Sequence, residues 1–415
     1  MPHPNVSGPE AAAEAPRFDV ACLGESMVTF RPARPGRLAD VPAFDRGIGG
    51  AESNVACTLA RAGHTARWIS RVGDDGFGEY LTREIARCGV DTSAVRRDPG
   101  RPTGIYFRTA GERATCAAPA SATGDATTGD ATIGDAVTAN AAPANAAPAN
   151  AAPGEPLAEV AYYRAGSAAS AMSPANTPVG ADARILHLSG ITAALSPDCL
   201  ALMRELTTRR PGRPLVSFDV NYRVSLWPDP TTAGATLADL ARGADLVFVG
   251  EDEAEAAWGI TGGPAAIRAA LPEPGTLVVK QGSTGATVFH REPSAGLTVE
   301  ERRSSARPQA AEAADRDLTV HVPALTVDVV AAVGAGDAFA AGFLSATLRE
   351  LPAAQRLRTG HLWAAAALTV AGDMAAPPSR AHADHLAELP DEDWCTLRLG
   401  PGWTTTGTKG EVITT

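Results

Sequence analysis

The sequence predicts an α/β fold, a mostly parallel sheet with helices on both faces. Two observations carry this. Short apolar runs of strand length alternate with segments of helical periodicity through most of the chain. Glycine-rich turns follow several of those runs, and in such sheets binding sites lie at the carboxyl ends of the strands.

In chain order, Phe18 to Leu23 is a strand ending in Gly24, and Ser53 to Ala62 a helix closed by Gly63. Ala66 to Val72 follows as a strand, then Phe77 to Cys88 as a helix with Gly89 as its C-cap. Ile185–Leu188, Leu215–Val220, Leu246–Val249 and Thr276–Lys280 are further buried strands, separated by helical patterns. Leu325 to Val330 reads as another strand. Ala338 to Leu348 reads as a helix, with Phe339, Phe343 and Leu344 at helical spacing. Thr103–Arg108 and Glu159–Arg164 are expected to pair as a hairpin with a lengthened loop.

That loop, residues 116–156, repeats Thr-Gly-Asp-Ala and Asn-Ala-Ala-Pro units with almost no large apolar side chain. It cannot bury enough surface to offset ordering entropy, so disorder is expected. Residues 291–316 form a second charged insertion, and residues 1–16 a Pro/Ala/Glu-rich disordered leader without a signal pattern. One folded domain then spans 17–390. The tail, 391–415, reads as weakly structured apart from Trp394 and Trp403.

The 415 residues suit one large α/β unit, and 45% hydrophobic content supplies a full core. A net charge of −11 argues against nucleic-acid or anionic-membrane partners. No apolar run approaches the ~20 residues of a membrane span. The six cysteines include no CxxC pair, which fits a reduced cytoplasmic protein rather than a zinc site or disulfide scaffold.

Chemistry concentrates at Val333-Gly334-Ala335-Gly336-Asp337. A glycine turn opening a helix aims backbone N–H groups and a positive dipole end at one spot, which attracts anions. Asp337 is a carboxylate where an anion should sit. A phosphoryl group on the amides, with Asp337 taking a proton from the attacking hydroxyl, accounts for both; a tight turn with Asp337 complementing the dipole is the plainer alternative. Gly49-Gly50 and Asn54 can approach and hydrogen-bond a hydroxylated ligand, or form a turn capped by Ser53. Asn221 and Arg223 can reach phosphate oxygens, or Arg223 can form a surface salt bridge. Glu253 can stand near a magnesium-bound water, or simply serve an acidic first helical turn. Lys280 to Gly285 can lie against a nucleotide, or form a hairpin turn.

This ordered set resembles the ribokinase-like PfkB carbohydrate kinases. Gly49-Gly50 with Asn54 matches their amino-terminal signature, and Gly334-Ala335-Gly336-Asp337 their carboxyl-terminal one. Gly24-Glu25-Ser26-Met27, Tyr162 to Ala168, His187-Leu188-Ser189-Gly190 and Asp219-Val220-Asn221-Tyr222-Arg223 are similar to 2-keto-3-deoxygluconate kinases in particular. The resemblance implies a three-layer αβα sandwich with a small β-sheet lid, its strands within about 27–47 and 101–165, and pairing of two copies through lid edges. It implies Asp337 as base and Gly334, Ala335 and Gly336 as anion hole. Lys280, Gly282, Ser283, Gly285, Asn221 and Arg223 would lie near ATP, with Glu253 toward Mg2+. Gly49, Gly50, Asn54, Tyr106, Arg108 and Arg164 would hold a sugar acid, the two arginines at equivalent ends of the lid strands.

Three positions depart from the pattern. Ala331 and Ala332 replace the usual Asp-Thr, so activation by a monovalent cation is open, and Gly250 replaces the Asn of an Asn-x-x-Glu metal motif. The reading is an ATP-dependent kinase making 2-keto-3-deoxy-6-phosphogluconate. A PfkB kinase for fructose, ribose or another keto sugar acid, or a catalytically silent sugar-binding regulator on the same fold, are the alternatives.

Overall fold

The structure is a computed structural model describing residues 17–109, 159–177, 179–180, 182–291, 317–372 and 374–405. The expected leader, both insertions except Arg291, and residues 406–415 of the tail lie outside the described residues. The chain runs β1 (Phe18–Leu23), β2 (Met27–Pro32), β3 (Phe44–Gly49), α1 (Ala51–Arg61), β4 (Ala66–Gly73), α2 (Gly76–Arg87), β5 (Val95–Asp98), β6 (Ile105–Arg108) and β7 (Val160–Tyr163). Next come β8 (Ala183–Ser189), α3 (Gly190–Ala194), α4 (Pro197–Thr207), β9 (Leu215–Asp219), α5 (Pro230–Gly243), β10 (Leu246–Gly250), α6 (Glu251–Trp258), α7 (Gly263–Ala270) and β11 (Thr276–Lys280). The remainder is β12 (Gly285–Arg291), β13 (Asp317–Pro323), β14 (Thr326–Val327), α8 (Ala335–Leu348), α9 (Ala353–Leu368), α10 (Arg380–Ala387), α11 (Asp391–Thr396) and β15 (Arg398–Leu399).

Nine strands form the central sheet in the order β13-β12-β11-β10-β9-β8-β1-β4-β5. From β11 to β5 every pairing is parallel; β12 and β13 add an antiparallel edge. The period of two along each strand divides the apolar residues between two cores. Val20, Cys22, Leu246, Phe248 and Val278 face one, packed by α1, α2, α8 and α9. Ala21, Leu23, Val247, Val249, Leu277 and Val279 face the other, packed by α4 and α5. This is the expected three-layer αβα sandwich. Each fully buried Val, Leu or Phe contributes ~1.5–3 kcal/mol, so both layers are needed to hold the strands.

Polar side chains inside the two-sided sheet are few; His187 on β8 and Ser217 on β9 meet there at 3.0 Å. Helix starts are capped locally. Asp75 accepts from the Phe77 and Gly78 amides at 3.0 and 2.8 Å, and Ser196 from the Cys199 amide at 3.1 Å. A second sheet of four strands, order β3-β2-β6-β7, stands apart. Its Val28 and Ile48 join the first core, and Phe30 stacks on Phe107 at 4.8 Å.

Three expectations change. The strand expected over Leu325–Val330 shrinks to Thr326–Val327, outside the central sheet and paired with β15; Val329 and Val330 are 58% and 48% exposed, with no core to join. The tail is built into the body through residue 405: Trp394 on α11 is buried, and its Nε1 donates to the Pro323 carbonyl at 3.0 Å. Arg108 and Arg164 do not share an end of the lid. β6 and β7 are antiparallel, with Arg108 opposite Val160 and Ile105 opposite Tyr163, so the arginines that close each strand lie at opposite ends.

Trp394→Ala tests the tail's place in the core. Denaturant unfolding should show a loss of ~3–5 kcal/mol, as for other buried tryptophans. A loss below ~0.5 kcal/mol, the range of surface substitutions, would return the tail to the periphery.

Candidate active site

The site forms where the carboxyl ends of β1, β8, β9, β10 and β11 meet the amino ends of α1 and α8. Both helices begin earlier than expected, at Ala51 and Ala335, which places Asn54 and Asp337 inside their first turns. Gly50, not Ser53, precedes α1; Ser53 lies within the helix and donates to Ser26 at 2.9 Å. A side chain at Gly50 would collide with the Glu25 carbonyl at 2.4 Å, so only glycine lets α1 start against that loop. Gly334 precedes α8 at φ 75°, the left-handed region that favours glycine.

Asn54 Nδ2 donates to Asp337 Oδ2 at 2.8 Å. Asn54 Oδ1 is buried and accepts from no described residue, leaving an acceptor facing the same spot. Burial drives the Asp337 carboxyl up to about 7; the Asn54 bond opposes this, Asp219 reinforces it, and Arg223 and Lys280 oppose it. A carboxylate poised near neutrality suits a general base.

Beyond it lies a charge cluster. Lys280 Nζ, at the end of β11, sits 3.1 Å from both Asp219 oxygens and 3.9 Å from Glu253 Oε2. Burial would lower the lysine's pKa, but Asp219 and then Glu253 more than compensate and hold it above the ordinary value. A Cβ placed on Gly336 would lie 3.9 Å from that ammonium, so Lys280 faces the turn that opens α8. Asn221 takes a left-handed φ of 41°, an uncommon conformation for a residue with a side chain, directly after β9. Arg223 is exposed and, among the described residues, makes one hydrogen bond, to the Tyr222 carbonyl at 3.4 Å, and no salt bridge. Gly282 and Ser283 form the exposed tip of the β11–β12 hairpin, while Gly285 is pinned against the Val322 carbonyl.

Glu253 Oε2 accepts the Gly250 amide at 2.7 Å and lies 3.9 Å from Lys280 Nζ, so the same oxygen that serves the first turn of α6 also faces the lysine. Among the described residues no group of three or more His, Cys, Asp or Glu could cage a metal ion. Asp219 and Glu253, the two carboxylates facing Lys280, would fit as neighbours of a magnesium ion held chiefly by phosphates and water.

On the lid, Tyr106, Arg108, Tyr162 and Arg164 alternate onto one face, and Tyr106 and Tyr162 lie 5.4 Å apart. Arg164 is ion-paired with Glu25, whose Oε1 also accepts from Ser167 at 2.5 Å. Glu52 is wholly buried and accepts from Ser189 and Thr192 at 2.7 Å each; burial raises its pKa. Asp219, Glu25 and Glu52 were not among the sequence candidates. Their signal was a lone acid within or directly after apolar residues, and the partners that give it meaning are remote in sequence.

The family model for pfkB carbohydrate kinases matches residues 17–140 and 158–380. A Bacillus subtilis 2-dehydro-3-deoxygluconokinase is 31% identical, covering 88% of this chain and 94% of that protein. An Arabidopsis thaliana probable chloroplastic fructokinase is 28% identical over 85% of this chain and 77% of its own length. The crystal structure of a PfkB protein from Polaromonas sp. JS666 superposes with a TM-score of 0.64 at 29% identity, covering 88% of this chain and 99% of that one.

Two measurements test Asp337. kcat/KM of the wild type should fall about tenfold per pH unit below a pKa near 7, because the base must be ionised. A flat profile from acid to neutral pH would exclude it. Asp337→Asn should cost ~10²–10⁴ in kcat. It should also raise the melting temperature above neutrality. The folded pKa exceeds the unfolded value, so Asp337 stabilises the fold at low pH and loses that contribution as pH rises through about 7. Asparagine carries no such loss; the difference should shrink as pH falls from about 7 and vanish only near the unfolded value of 3.8.

Proposed function

The chain belongs to the PfkB family of carbohydrate kinases, and on that footing we propose that it transfers the terminal phosphoryl group of ATP to a carboxylated sugar, 2-keto-3-deoxygluconate, at its C6 hydroxyl. The observation that carries the chemistry is Asp337, buried at the start of α8, bonded to Asn54 and raised toward neutrality. In this reading the acceptor hydroxyl lies between Asp337 and the unpartnered Asn54 Oδ1. Asp337 takes its proton as the oxygen attacks the γ-phosphorus. The amides following Gly334 and the ammonium of Lys280 meet the charge on the transferring group. Arg223, exposed and near Asp337, is free to turn toward the nucleotide phosphates. Mg2+, when bound, supplies further neutralisation of phosphate charge beside Asp219 and Glu253. Ala331 puts a buried methyl where the family pattern offers a carboxylate, so potassium activation should be weak.

The acid substrate is supported by two arginines and two tyrosines on one lid face, and by the B. subtilis relative. Arg164, held by Glu25, would present its remaining N–H groups to the substrate carboxylate. A neutral acceptor such as fructose is the second reading. It is favoured by the same ion pair, because Glu25 already balances the arginine's charge, and by the plant relative. Pairing of two copies through the lid is part of the proposal, supported by Tyr162 and Tyr163 on its outer strand, 50% and 64% exposed.

ATP turnover across sugars and sugar acids separates the two readings. Arg164→Ala should raise KM for 2-keto-3-deoxygluconate by about ten- to a hundredfold, the ~1.5–3 kcal/mol of a charged hydrogen bond, and leave any neutral sugar near its starting value. An equal rise for both would sink the carboxylate-binding role.

A further inference from the structure

A small cavity lies between α1, the start of α8 and the second half of α9. Asn54 and Thr58 of α1, Gly334 and Ala338 at the α8 end, and Trp363 of α9 line it. The space open to a water's centre is about 10 Å³, close to that of a single molecule. Three polar side chains share the lining, Asn54, Thr58 and Trp363, and each is more than nine-tenths buried. Two polar atoms there have no partner among the described residues, the Trp363 indole nitrogen and Asn54 Oδ1. Thr58 Oγ1 spends its proton on the Asn54 backbone carbonyl at 2.8 Å and keeps lone pairs to offer. The rest of the wall is alanine, methionine and proline.

These three groups ask for one kind of occupant. An indole N–H only donates, and a carboxamide oxygen only accepts. Buried polar groups seldom go unsatisfied, and here the donor and the acceptor do not bond each other. A water answers all three, because it accepts from the indole and has two hydrogens for Asn54 and Thr58. A metal cation does not fit, since the indole hydrogen would face its charge.

We propose that the cavity holds one buried water, accepting from Trp363 and donating to Asn54 and Thr58, and that Trp363 thereby positions Asn54 against Asp337. The direction of the bonds is what matters. The oxygen and the NH2 of a carboxamide are alike in shape, and only the NH2 can donate to Asp337. Trp363 can only give a hydrogen, so the water must turn its own hydrogens toward Asn54 and hold the oxygen on the cavity side. The NH2 is then committed to Asp337 Oδ2, at 2.8 Å. A carboxamide oxygen has two acceptor positions, so one remains for the acceptor hydroxyl. Trp363 acts through Asn54 and is a positioning residue; the inference rests on Asp337 as the base.

Trp363→Phe in the full-length protein removes the N–H and keeps an aromatic ring. Its kcat/KM should titrate with a midpoint above the wild-type value near 7, because a loosened Asn54 no longer opposes the effect of burial on Asp337. At neutral pH kcat/KM should fall about three- to tenfold, the worth of one neutral hydrogen bond, and recover in alkali, where the base is fully ionised. A merely structural tryptophan would lower the melting temperature and the alkaline plateau and leave the midpoint in place, and that outcome overturns the proposal. A crystal structure of the full chain that shows ordered waters is the second readout. One water bonded to Trp363 Nε1, Asn54 Oδ1 and Thr58 Oγ1 supports the site; a dry cavity or a different occupant removes it. Should Trp363→Phe fail to fold, that crystal decides. A flat wild-type pH profile with the water in place would instead remove Asp337 as base, and the positioning role with it, while the water site stands.

Discussion

The hydrogen bond from Asn54 to Asp337 joins the amino ends of two helices whose residues lie 283 apart in the chain. Each of those ends attracts negative charge, and Asp337 is itself negative when ionised. A carboxylate there would be stabilised if it were wet, but it is buried, and desolvation wins. The single bond from Asn54 leaves the group near the midpoint of its titration instead of locking it in either form. The glycines at 50 and 334 serve this one contact, since each lets a helix begin close enough for the two side chains to meet.

The charges around Lys280 follow from the same burial. An ammonium enclosed by protein needs carboxylates, and Asp219 and Glu253 supply them from neighbouring strand ends. The result is a cation aimed at the turn of α8 but already balanced. On the proposed function, an arriving phosphate would enter a site whose charges are paired and would have to reorganise those pairs rather than fill an empty positive hole. The four-stranded sheet repeats the pattern, where Glu25 holds Arg164. Lys280 and Arg164 are each positioned by an acid remote from them in sequence.

That separation sets what could be read from the chain. The strands were legible because burial on both faces leaves continuous apolar runs, and the glycine turns because backbone geometry limits which residues fit. Asp337 and Asn54 were legible because each sits beside such a turn. The roles of Glu25, Glu52 and Asp219 are not legible in local sequence, because their partners Arg164, Ser189 and Lys280 are remote in the chain. The arginines of the lid were placed at one end because both close a strand in sequence; antiparallel pairing puts them at opposite ends. Leu325 to Val330 looks apolar enough for a strand, yet β13 already forms the sheet's edge and only two residues find a partner. The tail misled in the opposite sense, since its few aromatic residues are buried almost completely.

That partner for β14 is β15, which lies close to the carboxyl end of the described chain, and Arg398 adds an ion pair to Asp328. The segment leading into the Gly334 turn is thus propped by residues 70 positions further along the chain. The entropy of closing so long a loop must be overcome before that brace can form, whereas the turn and the helix it opens need only local contacts. The turn can therefore form early but is held in place late, by a contact that depends on the body being already assembled.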